Sequence, residues 1–152
     1  MDQKKMLLGY RIAAGVAILS ALLPWARATG SSNIMGNVSS TSASVGGMST
    51  AWGTLTLLAG IAAVALSFVK PASFIKDKTR TAMAGIGGVV LLLAIIGSAT
   101  AASRFGEGVH YSDAYGNRAS SSAGASIGVY LALLCGGAMA ALGWLVNWDE
   151  QP

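Results

Sequence analysis

The sequence predicts an all-α membrane protein: a four-transmembrane-helix bundle with two Ser/Gly-rich outer loops that have room for short β-strands. Three observations predict it. Of 152 residues, 53% are hydrophobic and only 11% charged, with a mean hydropathy of +0.59. A soluble domain carries about 25% charge, and less than half of that does not cover a water-facing surface. Four apolar windows each approach the ~20 residues that a bilayer crossing needs. The basic residues lie at the ends of these windows rather than inside them. The whole chain, 1–152, reads as a single membrane domain.

The first span covers about residues 7–25, behind Lys4 and Lys5. Arg11 lies about one turn inside it, where its long stem can snorkel to the interface. The run ends in LLPWARATGSSNI, with Pro24 and Trp25 as the stop. Ala26-Arg27-Ala28 imitates a signal-peptidase site, but the segment before it is long enough to span, so a retained first helix is expected. An outer loop at about 26–50 follows, in which NVSSTSASVGG alternates weakly. It reads either as one or two short strands or as an irregular flap. The second span, 51–69, opens on Trp52-Gly53, and an inner loop at 70–81, KPASFIKDKTR in its basic part, leads to the third span at 82–102. A second outer loop at 103–126 holds VHYSDAYGNRASSS, where Tyr115-Gly116-Asn117 suggests a hairpin turn. The last span, 127–148, carries Trp144 and Trp148 near its end. Together with Trp25 and Trp52, these fit interfacial aromatic belts.

Orientation follows from Lys and Arg. Lys4, Lys5, Arg11, Lys70, Lys76, Lys78 and Arg80 fall on one side, against Arg27, Arg104 and Arg118 on the other. The positive-inside rule then puts both termini in the cytoplasm of a plasma (inner) membrane. Asp149 and Glu150 in the tail have little weight in this rule.

Residues 54–66, TLTLLAGIAAVAL, align with 130–142, YLALLCGGAMAAL, with Gly60 matching Gly136. That suggests a 2+2 internal repeat. The halves share one orientation, unlike the inverted repeats of many transporters. Lipid tails are as apolar as Leu, so the helices must associate by close packing of small residues. These recur at four-residue spacing, as in Ala84/Gly88, Gly97/Ala101, Gly124/Gly128, Gly136/Ala140 and Gly137/Ala141. Their number exceeds what four helices need for one another. Trp25, Trp52, Gly60, Gly88, Gly97, Gly128, Gly136 and Gly137 are therefore candidate contacts for other membrane-protein subunits or a second copy. In the second outer loop, His110, Tyr111 and Tyr115 are candidate contact residues.

Little in the sequence points to chemistry. Apart from Arg11, no ionisable residue lies within a span, which argues against proton coupling. The single Cys135 forms no metal motif and reads as a small core residue. Glu107, His110 and Asp113 recur at three-residue spacing, but Gly106, Gly108 and Gly116 oppose the helix that would align them. Ser98, Thr100 and Ser103 read as packing hydroxyls. Gly85-Ile86-Gly87-Gly88 lacks the Lys-Ser/Thr of a phosphate loop. Asn37-Val38-Ser39 is a glycosylation triplet, meaningful only on a eukaryotic secretory route. No catalytic residue, cofactor or metal is expected. Nucleic acid is not an expected partner, because the basic residues are not clustered with aromatics on one face.

The Leu23-Pro24-Trp25 exit, the Ser/Gly-rich loop and the Trp52-Gly53 re-entry resemble small four-span membrane proteins of actinobacteria. That resemblance implies an accessory subunit of a respiratory or cell-envelope complex. LLPWARATGSSNI is also similar to the Leu-Pro-x-Trp exit of the claudins, with its following Arg. The first loop lacks their Gly-Leu-Trp and paired cysteines, so this likeness implies only a bundle with an outer sheet. The leading expectation is thus a non-catalytic accessory or assembly subunit packed against a larger membrane complex. The alternatives are an outward-facing, claudin-like adhesion or self-assembly protein, and a passive channel for small neutral solutes.

Overall fold

A computed structural model describes residues 2–69, 76–103 and 110–148. Its helices are α1 (Gln3–Leu22), α2 (Ala51–Phe68), α3 (Lys76–Ser103) and α4 (Ile127–Leu145). All four are long and apolar enough to cross a membrane. Each helix packs on its sequence neighbour and α4 closes the ring against α1.

The helix ends follow from local sequence. Asp2 caps α1 by accepting the Lys4 N–H at 3.2 Å. Leu23 is extended at φ −79°, ψ 163°, as the residue before a proline prefers. Thr50 caps α2 through the Gly53 N–H at 3.1 Å. α3 starts at Lys76, six residues before the expected span, because no Pro or Gly interrupts KDKTRTAMA after Pro71. Lys78 and Arg80 thus sit on helix rather than in a loop.

Many of the bundle's small residues lie inside and many of its large apolar ones outside. Ala14, Ala17, Ala63, Ala94 and Ala132 are fully buried, while Leu8, Leu19, Leu58, Leu92 and Leu134 are exposed. These exposed leucines stand where lipid would solvate them and the buried alanines where backbones approach, while Tyr10, Met139, Trp25 and Trp148 are large side chains held inside. The pattern is consistent with a multi-pass membrane protein.

The all-α expectation needs correction, because the two connections on one end of the bundle build a four-stranded antiparallel sheet. Its strands are β1 (Pro24–Ile34), β2 (Asn37–Gly46), β3 (His110–Ser112) and β4 (Arg118–Ala125), in the order β2-β1-β4-β3. β1 and β2 are long rather than short. Their hairpin closes on a two-residue turn with both central residues at positive φ, Met35 at 52° and Gly36 at 83°. That is the turn whose twist matches a right-handed strand pair. The expected hairpin at Tyr115-Gly116-Asn117 is also formed. β1 pairs with β2 from Arg27↔Ser44 to Ile34↔Asn37, and with β4 from Ala26↔Ala125 to Asn33↔Arg118. The two sequence halves therefore share one sheet. Exchanging the halves would carry the β1–β4 seam into a β3–β2 seam, which the described residues do not form.

Candidate functional site

Where the sheet joins the bundle, Trp25 is completely buried rather than lying on a lipid-facing belt. Its indole sits among three glycines from three elements. A Cβ on Gly47 would stand 2.5 Å from Nε1, and one on Gly128 2.7 Å from Cδ1. A Cβ on Gly97 would collide with Cζ3. The half-buried Trp52 packs beside this cage. The indole Nε1–H donates at 2.9 Å to the Ser20 carbonyl in the last turn of α1, which also accepts the Leu23 N–H at 3.3 Å. Trp148 repeats the arrangement at the other end of the bundle. Three residues past α4, it donates to the Gly143 carbonyl at 2.9 Å and meets Tyr10 edge-on at 5.2 Å between centroids.

The remaining expected contact residues divide by where their helices turn them. Gly60 faces Ile18 and the Ala14 carbonyl of α1, and Gly136 faces the Leu91 backbone of α3. Gly87 and Gly143, neither of them among the expected contacts, complete the close approach of α3 and α4 against Ala140 and Ala84. Gly88 has nothing within 4 Å, and Gly137 reaches only Leu91 Cδ1 at 3.8 Å. Hence Gly60, Gly97, Gly128 and Gly136, counted as surplus in the sequence, are filled within the chain. Gly88 stays open.

The buried hydroxyls serve their own helices. Ser20, Thr56 and Ser67 donate to Ala17, Trp52 and Val64 carbonyls at 2.6, 2.9 and 2.7 Å. Arg11 donates to the Ser67 carbonyl at the end of α2 at 2.8 Å, with its guanidinium 4.0 Å from the Phe68 ring centroid. Cys135 is buried in the helix core.

β2 is exposed over most of its length, and the two faces of the sheet differ. Directly paired residues share a face. One face therefore carries Thr29 and Ser31 on β1, Ser40, Ser42 and Ser44 on β2, and Ser120 and Ser122 on β4. Hydroxyls bridge the strands here, Thr29 to Ser122 at 3.2 Å and Ser31 to Ser120 at 3.0 Å. The other face mixes Ala28, Gly30, Ala43, Ala119 and Ala123 with Ser32, Ser39, Thr41 and Ser121, and Ser32 bridges to Ser39 at 2.8 Å. An open depression of about 500 Å³ on the hydroxyl face is lined by Arg27, Thr29, Ser31, Ser40, Ser42 and Ser122, among others. A second, of about 420 Å³, lies around the β3 edge beside His110, Tyr111 and Arg118.

The far tip joins both hairpins. The Met35 N–H donates to Asn117 Oδ1 at 3.0 Å. Asp113 in turn accepts from Asn117 Nδ2 at 2.7 Å, and from the Asn117 and Tyr115 N–H groups at 2.9 Å each. The Asn117 side-chain bond, ahead of these backbone bonds, holds the Asp113 carboxyl below its ordinary range. Tied in this way, the tip exposes Met35 at 90%, Tyr115 at 92% and Val38 at 76%. His110 and Tyr111 are exposed on β3 and paired with Ser120 and Ala119 of β4. Asp113 is thus a turn residue rather than a partner for His110, and Glu107 lies outside the described residues. Among the described residues, no group of three or more His, Cys, Asp or Glu could hold a metal.

The chain matches no protein-family model, no curated protein and no solved structure.

The sequence missed the Trp25 cage and the length of β1 and β2. The only signal for the strands was weak alternation, and for the cage the recurrence of glycine in three separate segments.

Proposed function

We propose that this is a non-catalytic membrane protein whose sheet projects outside the cell and acts as a contact surface for self-assembly or adhesion. The observation that carries the reading is the tip. Met35 holds a left-handed conformation that costs an L-residue about 1–2 kcal/mol relative to glycine, in a turn where Asn or Gly would serve better. It is nonetheless a large apolar side chain at 90% exposure, beside exposed Ile34 and Val38. A strained, solvated apolar residue supports a role in contact rather than in folding. The external placement rests on the positive-inside rule, with both termini in the cytoplasm. Replacement Met35→Asn relieves the strain, so the hairpin should become more stable by about 1 kcal/mol while self-association weakens. Association unchanged in that variant, measured by two-tag co-purification, would remove the reading.

The accessory-subunit reading has one observation in its favour. Gly85 and Gly88 have open space beside them on α3, next to exposed Val89 and Leu92. Mild-detergent extraction that recovers a stoichiometric second protein would support it, and recovery of this chain alone would count against it. The channel reading draws no support from the hydroxyls that suggested it. Thr54, Thr56, Ser67 and Ser98 all bond to backbone carbonyls.

A further inference from the structure

The two edges of the sheet are unlike. β3 offers three residues, whereas β2 runs for ten, exposed from Asn37 to Ser44 and half-exposed at Val45 and Gly46. Natural sheets blunt a long edge with Lys, Pro, a bulge or a covering segment. β2, NVSSTSASVG, has no charge and no proline, its bulge-free register continues from Ser44 to Asn37, and no described strand pairs beyond it.

The register fixes which backbone groups are free. Across a two-residue turn the flanking pair, Ile34 and Asn37, exchanges both hydrogen bonds, and such pairs then alternate along the strands. The N–H and C=O groups of 39, 41, 43 and 45 therefore point at β1. Those of Val38, Ser40, Ser42, Ser44 and Gly46 point outward. The Ser126 N–H donating to the Trp25 carbonyl at 2.9 Å fits the same parity, with odd β1 residues facing β4.

We propose that β2 is the strand by which two copies of this chain join, antiparallel and edge to edge about a two-fold axis at Ser42. This rests on the self-assembly reading above and names its surface. The pairing sets Ser42 opposite Ser42, Ser40 opposite Ser44 and Val38 opposite Gly46, so every outward group from 38 to 44 finds a partner, while the Gly46 carbonyl already accepts from the Ser49 hydroxyl at 2.6 Å. The hydroxyl face continues unbroken across the seam. With no charge on β2, like charges never meet. Since β2 runs from the tip towards the bundle, antiparallel pairing puts the two bundles at opposite ends of an eight-stranded sheet. The two copies then sit in facing membranes.

The test uses the full-length chain in liposomes, with single cysteines on β2 and the parent chain, whose Cys135 is buried, as control. The variant Ser42→Cys should form disulfide dimers under mild oxidation. Val38→Cys and Gly46→Cys should each fail alone but link when mixed, since the two copies of residue 38 lie about 27 Å apart. The variant Ser42→Pro removes an outward N–H and leaves the β1 seam intact. It should weaken association about tenfold or more, with unchanged circular dichroism, because one hydrogen bond is lost from each copy. Val38→Cys linking to itself would overturn the antiparallel arrangement in favour of a parallel one. Association that persists with no β2 position linking would overturn the edge pairing while leaving self-assembly standing. A parent chain that never associates would overturn both.

Discussion

Trp25 and Trp148 close the two ends of the bundle by one device, an indole three residues past a helix that returns its N–H to a carbonyl of the last turn. Replacement by Phe keeps most of the ring and removes the donor. Trp148→Phe should destabilise the fold by about 1–3 kcal/mol, the cost of a buried carbonyl left unpaired. Trp25→Phe should cost only about 0.5–1.5 kcal/mol, because the Ser20 carbonyl keeps the Leu23 N–H. Both are read by denaturant unfolding in detergent. The glycines around Trp25 and in the α3–α4 seam are equally exacting. Gly128→Ala should cost about 1–3 kcal/mol by overpacking the indole, whereas Gly88→Ala should be neutral or stabilise by up to about 1 kcal/mol, as a helix-interior glycine does when its side is open. The sequence showed that small residues mattered but not which of each adjacent pair faced inward. Gly136 and Gly137 differ only by a 100° step around the helix, and a spacing of four is satisfied by either, while on α3 the spacing selects Gly88 with Ala84 although Gly87 is the one that faces α4. Trp25 was harder still. A Trp after Leu-Pro at the end of an apolar run has the composition of a belt residue, and only the third dimension brings Gly47, Gly97 and Gly128 to it.

At the scale of elements, the helices were legible because apolar length and basic flanks are strong signals, and their starts moved by only a few residues. The sheet was not. Ser, Thr, Ala and Gly give weak alternation on a strand whose two faces are both solvated, so the period-2 signal has almost no amplitude. Register is left to the Met35-Gly36 turn, which lacks the Asn-Gly that would have announced it. Asp113 is the other turn-setting residue. Its carboxyl is held below the ordinary Asp value of 3.8 by bonds that exist only in the folded turn. A depressed native value means the bonds favour folding at pH above the ordinary range and lose that effect as pH falls through the native value. A nuclear magnetic resonance titration should therefore show the Asn117 side-chain amide moving towards its free position only below the ordinary Asp range. A shift centred at or above 3.8 would mean the turn is not formed.

For the whole molecule, the bundle and the sheet make opposite demands. The bundle turns many large apolar side chains outward and hides many small residues, a pattern suited to lipid. The sheet, built from both connections, carries hydroxyls along one face and alanines mixed with hydroxyls on the other. What it presents to its surroundings is an unblunted edge and an exposed apolar tip, the two features on which the self-assembly proposal rests. Two populations of liposomes carrying the chain under different dyes would test this most directly. Mixed, they should cluster and show coincident colours, and clustering should be lost when both populations carry Ser42→Pro. If protease accessibility shows the sheet outside the liposomes and the parent chain still neither clusters nor associates, the sheet is not a self-assembly surface.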